Sequence, residues 1–134
     1  MIGFILLVFL TALYVFLISP GWKPREKGAD FLGLNYAHRG LHTRDSSIPE
    51  NSLPAFRLAA EKGYAAELDV RLTADGIPVV FHDESLRRMT GDRRNLKDIT
   101  LERLQDLKLL ETQEKVPTLQ EVLGVIEGDR KSVV

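Results

Sequence analysis

Two carboxylates with a characteristic spacing are the first feature of the sequence that could do chemistry. Glu67 and Asp69 lie two positions apart in the run YAAELDVRLT. Residues two apart in an extended strand point to the same side, and two carboxylates on a largely buried face repel each other and are costly to desolvate. A divalent cation would relieve both costs, and ligands that are all oxygen favour Mg²⁺ or Ca²⁺ over zinc. Glu67 and Asp69 are therefore candidate metal ligands.

The same spacing also has an ordinary structural explanation. The strand could face solvent, with Arg71 neutralising one of the two carboxylates. For an isolated Glu-x-Asp pair this arrangement is the more common one. The pair by itself leaves both interpretations open.

Two histidines stand at the ends of apolar runs. His38 precedes Arg39 and Gly40, and His82 precedes Asp83. In α/β proteins, ligands bind at the C-terminal ends of the strands, where a histidine can move protons near neutral pH. An arginine at such a point can hold a phosphate or carboxylate through two parallel hydrogen bonds. A glycine lets the backbone turn or come close to a ligand.

Three further polar residues have weaker functional signals. Glu50 and Asn51 directly precede a predicted helix, where Asn51 fits turn or capping work. Glu50 could instead orient Arg39 or His38. His42, on the loop that follows, is interpreted as structural or exposed, because a lone histidine is more often so than catalytic.

The elements that must position these residues follow from periodicity and capping. Predicted strands cover 31–38, 64–73 and 77–83, and predicted helices cover 52–63, 99–110 and 117–128. Ser52 is a predicted N-cap, and Thr118 with Glu121 has the spacing of a capping box. Residues 74–76 form a predicted turn. The order β-α-β-β-α-α, with apolar strands, predicts an α/β fold with a parallel sheet.

The first 19 residues carry no charged side chain. A helix of this length rises about 28 Å, close to the ~30 Å hydrocarbon core of a bilayer. We therefore predict a transmembrane anchor over 1–19, rather than a cleaved signal peptide, and a linker over 20–33. Lys23, Arg25 and Lys27 follow the anchor, so the positive-inside rule predicts a single-pass membrane protein with its C-terminal part in the cytoplasm.

Composition excludes several classes of function. The 134 residues include no cysteine and have a formal net charge of −1. A disulfide framework and zinc–thiolate sites are therefore excluded, and no global basic field indicates a nucleic-acid partner. Four arginines are interpreted as a solvated loop, with contact to anionic lipid headgroups as the alternative: Arg87, Arg88, Arg93 and Arg94.

An ordered set of motifs resembles the glycerophosphodiester phosphodiesterase family. The segments are AHRG, then PENS with AF, then ELDVRLTADGIPVVFHD, and further along LRRMTG and VPTLQEVL. Any one of these segments is a weak signal, but the ordered set is highly specific. The resemblance covers roughly residues 34–127.

The resemblance implies a TIM (β/α)8 barrel and a metal-dependent cleavage of a phosphodiester at the C-terminal ends of its strands. Carried over by position, His38 and His82 would be the catalytic acid and base, and Arg39 would bind the phosphate. Glu67 and Asp69 would bind Mg²⁺ or Ca²⁺. The residues that either touch the metal or support its ligands would be Glu50, Asn51 and Asp83.

The chain also departs from the family pattern. A TIM barrel is typically ~250 residues long, whereas the matching segment here is 34–128, so only the first few strands are expected. The family's third metal-binding glutamate is expected just after LQEVL, where this chain reads EGDRKSVV. Residues 129–134 are therefore predicted to be a non-native tail, and the fragment is expected to be unstable and inactive by itself.

The sequence leads to one principal functional hypothesis and two alternatives. The principal hypothesis is hydrolysis of glycerophosphodiesters to an alcohol and glycerol 3-phosphate. The alternatives are a membrane-tethered binder of phospholipid headgroups without catalytic activity, and a lipase of the lysophospholipase D type acting on lysophospholipids. Both histidines and both carboxylates favour an enzyme, whereas the missing third ligand favours a binder.

Overall fold

The computed structural model describes residues 2–19 and 33–126. The chain divides into two compact units, the first ending at Leu32 and the second beginning at Gly33. Apart from Gly33, the predicted linker over 20–33 lies outside the described residues, and so does the predicted tail over 129–134.

The first unit contains one apolar helix, α1, over Ile2–Ile18. Its 17 residues rise about 26 Å, which is shorter than the ~30 Å hydrocarbon core. Within residues 2–19 and 33–126, no helix is both long enough and apolar enough to cross a membrane. The helix predicted over 1–19 is thus present over Ile2–Ile18, while its role as a membrane anchor and the cellular location stay predictions.

The second unit is built from short elements. In chain order these are β1 (Tyr36–Ala37), α2 (Leu53–Glu61), β2 (Ala65–Ala66), β3 (Val70–Leu72), β4 (Pro78–Val80), α3 (Arg87–Thr90), a 3-10 turn (Leu96–Asp98), α4 (Leu101–Leu104) and α5 (Leu119–Ile126). Strands β1 and β2 pair in parallel, with α2 as the connection between them, so the unit begins with a βαβ motif. Strands β3 and β4 pair antiparallel.

The antiparallel pairing of β3 and β4 corrects the prediction of a purely parallel sheet. The turn that joins them is closed by hydrogen bonds from the Thr73 amide to the Ile77 carbonyl (3.1 Å) and from the Gly76 amide to the Thr73 carbonyl (2.9 Å). A turn this short can connect only antiparallel strands, because a parallel connection needs a crossover of about a dozen residues or more. The turn predicted over 74–76 is thus present, and its shortness sets the direction of β4.

The predicted strand over 64–73 is divided into β2 and β3, and the residues between the two strands change hydrogen-bond partner. The Glu67 amide donates to the Ala37 carbonyl at 3.0 Å, whereas the Asp69 carbonyl accepts from the Phe81 amide at 2.8 Å. The segment between β2 and β3 is thus hydrogen-bonded to β1 at one point and to the residue after β4 at another. This fixes the positions of Glu67 and Asp69.

The predicted helix over 99–110 is also shorter than expected. Within this range only α4 is helical, because the chain beyond α4 also bonds to a later segment. The Leu109 amide donates to the Glu114 carbonyl (2.7 Å), and the Gln105 side chain donates to the Val116 carbonyl (2.8 Å). Leu104 and Leu109 are nonetheless both buried, so the apolar pattern is satisfied without a long helix.

The helix termini at α2 and α5 match the sequence signals. The Ser52 hydroxyl accepts from the Ala55 amide at the start of α2, as predicted for an N-cap. At α5 the capping box is complete: the Thr118 amide donates to Glu121 Oε2 at 2.8 Å, and the Glu121 amide donates to Thr118 Oγ1 at 3.2 Å.

Strand β4 lies between two apolar clusters. Val79 belongs to one cluster and Val80 to the other, because successive side chains of a strand point to opposite faces. The first cluster contains Val79, Phe81, Leu86, Met89, Leu96, Ile99, Leu104, Leu109 and Val116. The second contains Ala37, Phe56, Ala59, Ala66, Val80, Val122 and Ile126. The end of β4, which leads to His82, is thus held by packing on both sides.

Gly40 brings the loop after β1 against α2. Its φ of +77° is a left-handed conformation, and a Cβ atom there would lie 2.8 Å from the Cβ of Ala55. Atoms this close overlap, so no larger residue fits without moving the backbone. Gly40 therefore allows the backbone of the loop to lie close to α2.

We expect Gly40→Ala to destabilise the protein by about 2 kcal/mol or more, because it combines left-handed backbone strain with a steric clash. Gly76→Ala is a matched control, since Gly76 has the same φ of +77° but no atom near the position of a Cβ. The control should show only the backbone cost of about 1 kcal/mol. Urea unfolding of both variants measures the difference, and equal destabilisation would contradict the packing argument.

Candidate active site

The backbone of Arg39 is the centre of the candidate site. Arg39 lies two residues after the end of β1 and has a left-handed φ of +57°, which is uncommon for a residue other than glycine. Its amide donates to Glu67 Oε2 at 3.0 Å, and its carbonyl accepts from the Asn51 amide at 2.9 Å. These two bonds hold a strained conformation, a combination that is concentrated at functional sites.

The side chain of Arg39 lies between two other carboxylates. Its Nη1 donates to Glu50 Oε1 at 2.9 Å. Its Nε lies 3.5 Å from Asp69 Oδ2, close enough for an ion pair, although Nε is buried and has no hydrogen-bond partner among the described residues. The predicted contact of Glu50 with Arg39 is therefore present, and the arginine is surrounded by three carboxylates.

Asn51 is buried beside the same carboxylates. It is 2% exposed, also has a left-handed backbone with a φ of +55°, and its Nδ2 donates to Asp69 Oδ2 at 3.1 Å. Its Oδ1 is buried without a hydrogen-bond partner among the described residues. An unpaired buried acceptor is costly and needs an explanation. Asn51 thus does more than the turn and capping work considered for it.

The arrangement of Glu67 and Asp69 differs from that of a solvent-facing pair. Both residues are only partly exposed, and both face Arg39. Arg71, the expected neutralising partner in the structural explanation, instead donates through its Nε to the His82 carbonyl at 2.7 Å. The two carboxylates are therefore brought together around Arg39, as the prediction of a shared site requires.

His82 joins this cluster through a chain of charged contacts. Its Nδ1 lies 2.7 Å from Asp83 Oδ1. Asp83 in turn accepts two hydrogen bonds from Arg88, at 2.7 Å from Nε and 3.0 Å from Nη2. Arg88 Nη2 also donates to Glu50 Oε1 at 2.6 Å, so the chain of contacts leads from His82 to the partner of Arg39.

Charged partners keep Glu50 and Asp83, the two carboxylates in this series of contacts, ionised. Hydrogen bonding by Arg88, assisted by His82, lowers the pKa of Asp83 to about 2. Burial by itself would raise the pKa of Glu50, but hydrogen bonds from Arg88 and Arg39 outweigh it, and the pKa is lowered. The same two carboxylates raise the pKa of the Arg88 guanidinium.

The two other histidines are placed differently. His38 is exposed and adjoins Arg39 in the chain, but its side chain makes no hydrogen bond with the part of the chain that the structure describes. His42 is exposed, and its Nδ1 lies 3.3 Å from the Gly40 carbonyl oxygen, consistent with the structural interpretation given to it. The contacts of the cluster join Arg39, Glu50, Asn51, Glu67, Asp69, His82 and Asp83.

Arg88 is the residue of this cluster that sequence reasoning missed. It was interpreted as one of four similar arginines in a solvated loop, yet it contacts two carboxylates of the site. Arg94, another of the four, pairs instead with Asp92 at 2.7 Å. The only available signal was the position of Arg88 next to Met89, whose burial orients the short helix α3.

Within residues 2–19 and 33–126, no three His, Cys, Asp or Glu side chains come together in a way that could hold a metal ion. Around Arg39, Glu67 accepts a hydrogen bond from the backbone amide, and Asp69 lies beside Nε and accepts from Asn51 Nδ2.

Comparison with known proteins places this cluster in a defined family. The model of the glycerophosphoryl diester phosphodiesterase family matches residues 38–133, which include every residue of the cluster. A glycerophosphodiester phosphodiesterase of Caldanaerobacter subterraneus is 43% identical over 105 residues, covering 73% of this chain and 42% of the relative. The human glycerophosphodiester phosphodiesterase 1 is 38% identical over 111 residues, covering 76% and 31%.

Solved structures show the same likeness in three dimensions. An Oleispira antarctica phosphodiesterase in complex with the product sn-glycerol-3-phosphate superposes with a TM-score of 0.69 at 35% identity, covering 77% of this chain and 43% of that one. A Thermotoga maritima glycerophosphodiester phosphodiesterase superposes with a TM-score of 0.62 at 38% identity, covering 75% and 42%. The chain spans less than half the length of each of these relatives.

The family match, the identities and the shared fold all extend over the segment that carries the polar cluster. The phosphodiesterase-type architecture implied by the motifs is thereby confirmed for the described βαβ unit and the elements after it. The chain belongs to the glycerophosphoryl diester phosphodiesterase family.

Proposed function

We propose that the protein hydrolyses glycerophosphodiesters to an alcohol and glycerol 3-phosphate. The observation that carries the proposal is the continuous set of contacts from His82 through Asp83, Arg88 and Glu50 to Arg39. This set combines a group that moves protons with a group that binds phosphate. The relative from Oleispira antarctica, described as a phosphodiesterase bound to sn-glycerol-3-phosphate, supports the substrate class.

Hydrolysis of a phosphodiester places three demands on a site. A water molecule must lose a proton as it attacks phosphorus, the leaving alkoxide must gain a proton, and negative charge on the phosphate oxygens must be stabilised. The first two demands need groups that titrate near neutral pH. The third needs positive charge in a site partly shielded from solvent.

His82 is suited to one of the two proton transfers. Its Nδ1 faces the ionised Asp83, so in the neutral ring the proton resides on Nδ1 and the lone pair on Nε2. The carboxylate also stabilises the imidazolium that forms when Nε2 accepts a proton. The side chain is 42% exposed, so substrate and water can reach it. His38, exposed and adjacent to Arg39, would carry out the other transfer.

Arg39 is suited to bind the phosphate, but its surroundings are too negative for an anion. Four carboxylates (Glu50, Glu67, Asp69 and Asp83) and two guanidiniums (Arg39 and Arg88) give the cluster a formal charge of −2 with neutral histidines. The lowered pKa values of Glu50 and Asp83 keep this charge in place at neutral pH. An anionic phosphodiester would be repelled unless more positive charge were present.

A divalent cation would supply that charge, and the residues present fit one. Asn51 Oδ1 is a buried oxygen without a partner among the described residues, and it belongs to the side chain that binds Asp69. Glu67, Asp69 and Asn51 would hold the cation through oxygen atoms, which Mg²⁺ and Ca²⁺ prefer. Mg²⁺ in particular is commonly bound by one or two carboxylates together with substrate phosphate. Such a cation neutralises charge on the phosphate oxygens.

We expect His82→Ala to lower kcat by about 10²- to 10⁴-fold, because one proton transfer loses its catalyst. Glu67→Gln should also lower activity, because it removes one charge from the proposed cation site. Release of glycerol 3-phosphate from glycerophosphocholine and from glycerophosphoethanolamine measures this, using the full-length protein. Matched controls are His42→Ala and Glu61→Gln, an exposed histidine and an exposed glutamate outside the cluster.

Three results of this assay separate the hypotheses. Loss of turnover in His82→Ala, with both controls active, supports the proposal. Turnover of lysophosphatidylcholine but not of the glycerophosphodiesters favours the lipase. Saturable binding of glycerophosphocholine without turnover by the wild-type protein would overturn the proposal in favour of a headgroup binder.

We expect added Mg²⁺ or Ca²⁺ to raise Tm, since a ligand that binds only the folded state at 100 times its Kd stabilises that state by about 2.7 kcal/mol. Treatment with EDTA should abolish turnover, and one of the two metals should restore it. Differential scanning calorimetry of Asp69→Asn should show no shift in Tm on adding metal. Asp92→Asn, which removes a carboxylate paired with Arg94, should retain the shift. An unchanged wild-type Tm together with activity in EDTA would contradict the cation site.

A further inference from the structure

The guanidinium of Arg88 makes three hydrogen bonds to two carboxylates. Nε donates to Asp83 Oδ2 at 2.7 Å, and Nη2 donates to Asp83 Oδ1 at 3.0 Å and to Glu50 Oε1 at 2.6 Å. The first two bonds form the parallel fork that fixes both the distance and the plane of a carboxylate. The third adds a carboxylate 38 positions away in the chain.

The helix that carries Arg88 is held firmly despite its length. On either side of Arg88, Leu86 is fully buried and Met89 is 3% exposed, both in the first apolar cluster. The Leu110 amide donates to the Met89 carbonyl at 2.6 Å. Gly91 ends the helix with a left-handed φ of +78°. The backbone of Arg88 is therefore fixed by the core rather than by its ion pairs.

The two carboxylates bound by Arg88 serve different groups of the site. Asp83 Oδ1 contacts His82 Nδ1 at 2.7 Å, and Glu50 Oε1 contacts Arg39 Nη1 at 2.9 Å. Arg88 shares both of these oxygen atoms with the histidine and with Arg39. Among the described residues, Arg88 alone therefore contacts both the carboxylate paired with His82 and the carboxylate paired with Arg39.

We propose that Arg88 is a positioning residue that fixes the proton-transferring His82 relative to the phosphate-binding Arg39 by holding Asp83 and Glu50 on one guanidinium. The proposal rests on the proposed function for its kinetic consequence, but not for its structural one. Without Arg88, Asp83 can rotate away from His82, whose ring then loses its orientation. Lysine is not equivalent, because an ammonium lacks the planar fork that holds a carboxylate by two bonds.

If Arg88 only stabilised the fold, replacing it would have the same effect as replacing a comparable arginine outside the site. The Arg88 side chain is 48% exposed, and exposed ion pairs contribute little to the stability of a fold. Arg94 provides the comparison: its side chain is 50% exposed, and it holds Asp92 through Nε and Nη2. Its pair lies outside the chain of contacts that joins His82 to Arg39. The two arginines are therefore matched in type, exposure and fork geometry, and they differ in what they hold.

The kinetic experiment compares Arg88→Gln with Arg94→Gln in the full-length protein. We expect Arg88→Gln to lower kcat by about 10- to 100-fold, a typical loss for a residue that orients a catalytic side chain, with a smaller change in KM. Arg88→Lys should restore only part of the loss, because it lacks the fork. Arg94→Gln should change kcat by less than about twofold. Its shift in Tm should be similar to that of Arg88→Gln, because both variants remove an exposed ion pair. Equal kinetic effects in the two variants would overturn the proposal.

A spectroscopic experiment tests the same inference without turnover. Two-bond ¹H–¹⁵N spectra, recorded at a pH where the rings are neutral, report the tautomer of His82. We expect a single Nδ1–H tautomer in the wild type and in Arg94→Gln, and a mixture of tautomers in Arg88→Gln. An unchanged tautomer in Arg88→Gln would overturn the positioning role. If the wild type hydrolyses no phosphodiester, the proposed function fails, and this measurement still decides the role of Arg88.

Discussion

The structure of the site depends on the fixed backbone of one arginine. Arg39 is held in a left-handed conformation because Glu67 accepts from its amide and Asn51 donates to its carbonyl. Its side chain then lies between Glu50 and Asp69. The two ends of the loop between β1 and α2 and the segment after β2 come together at this residue. If Arg39 moved, the carboxylates would lose their common partner.

Charge balance explains why the cluster is held together and why it keeps an excess of negative charge. Each half-buried carboxylate is near a guanidinium or a backbone amide, because an unpaired buried charge is strongly unfavourable. The arginines nevertheless do not neutralise all four carboxylates, and Asn51 Oδ1 has no partner among the described residues. Such an excess of acceptor oxygens favours a cation and, through it, an anionic substrate.

Packing provides the rigidity that this polar cluster lacks by itself. Strand β4 contributes Val79 to one apolar cluster and Val80 to the other, so the chain enters His82 from a segment held on both faces. Met89 anchors Arg88 in the first cluster, and Phe56 anchors α2 in the second. The geometry of the polar cluster is therefore set by apolar residues that take no part in the proposed chemistry.

Local sequence patterns are enough to specify the caps of α2 and α5, the turn after β3, and the identity of the carboxylates, histidines and arginine predicted for the site. These depend on contacts within a few residues, or on the chemistry of single side chains. Long-range contacts set the antiparallel pairing of β4, the short helix at Leu101–Leu104 and the place of Arg88 in the site. Each of these depends on partners distant in the chain, such as Glu50 for Arg88, and no local pattern specifies which distant partner a residue will meet.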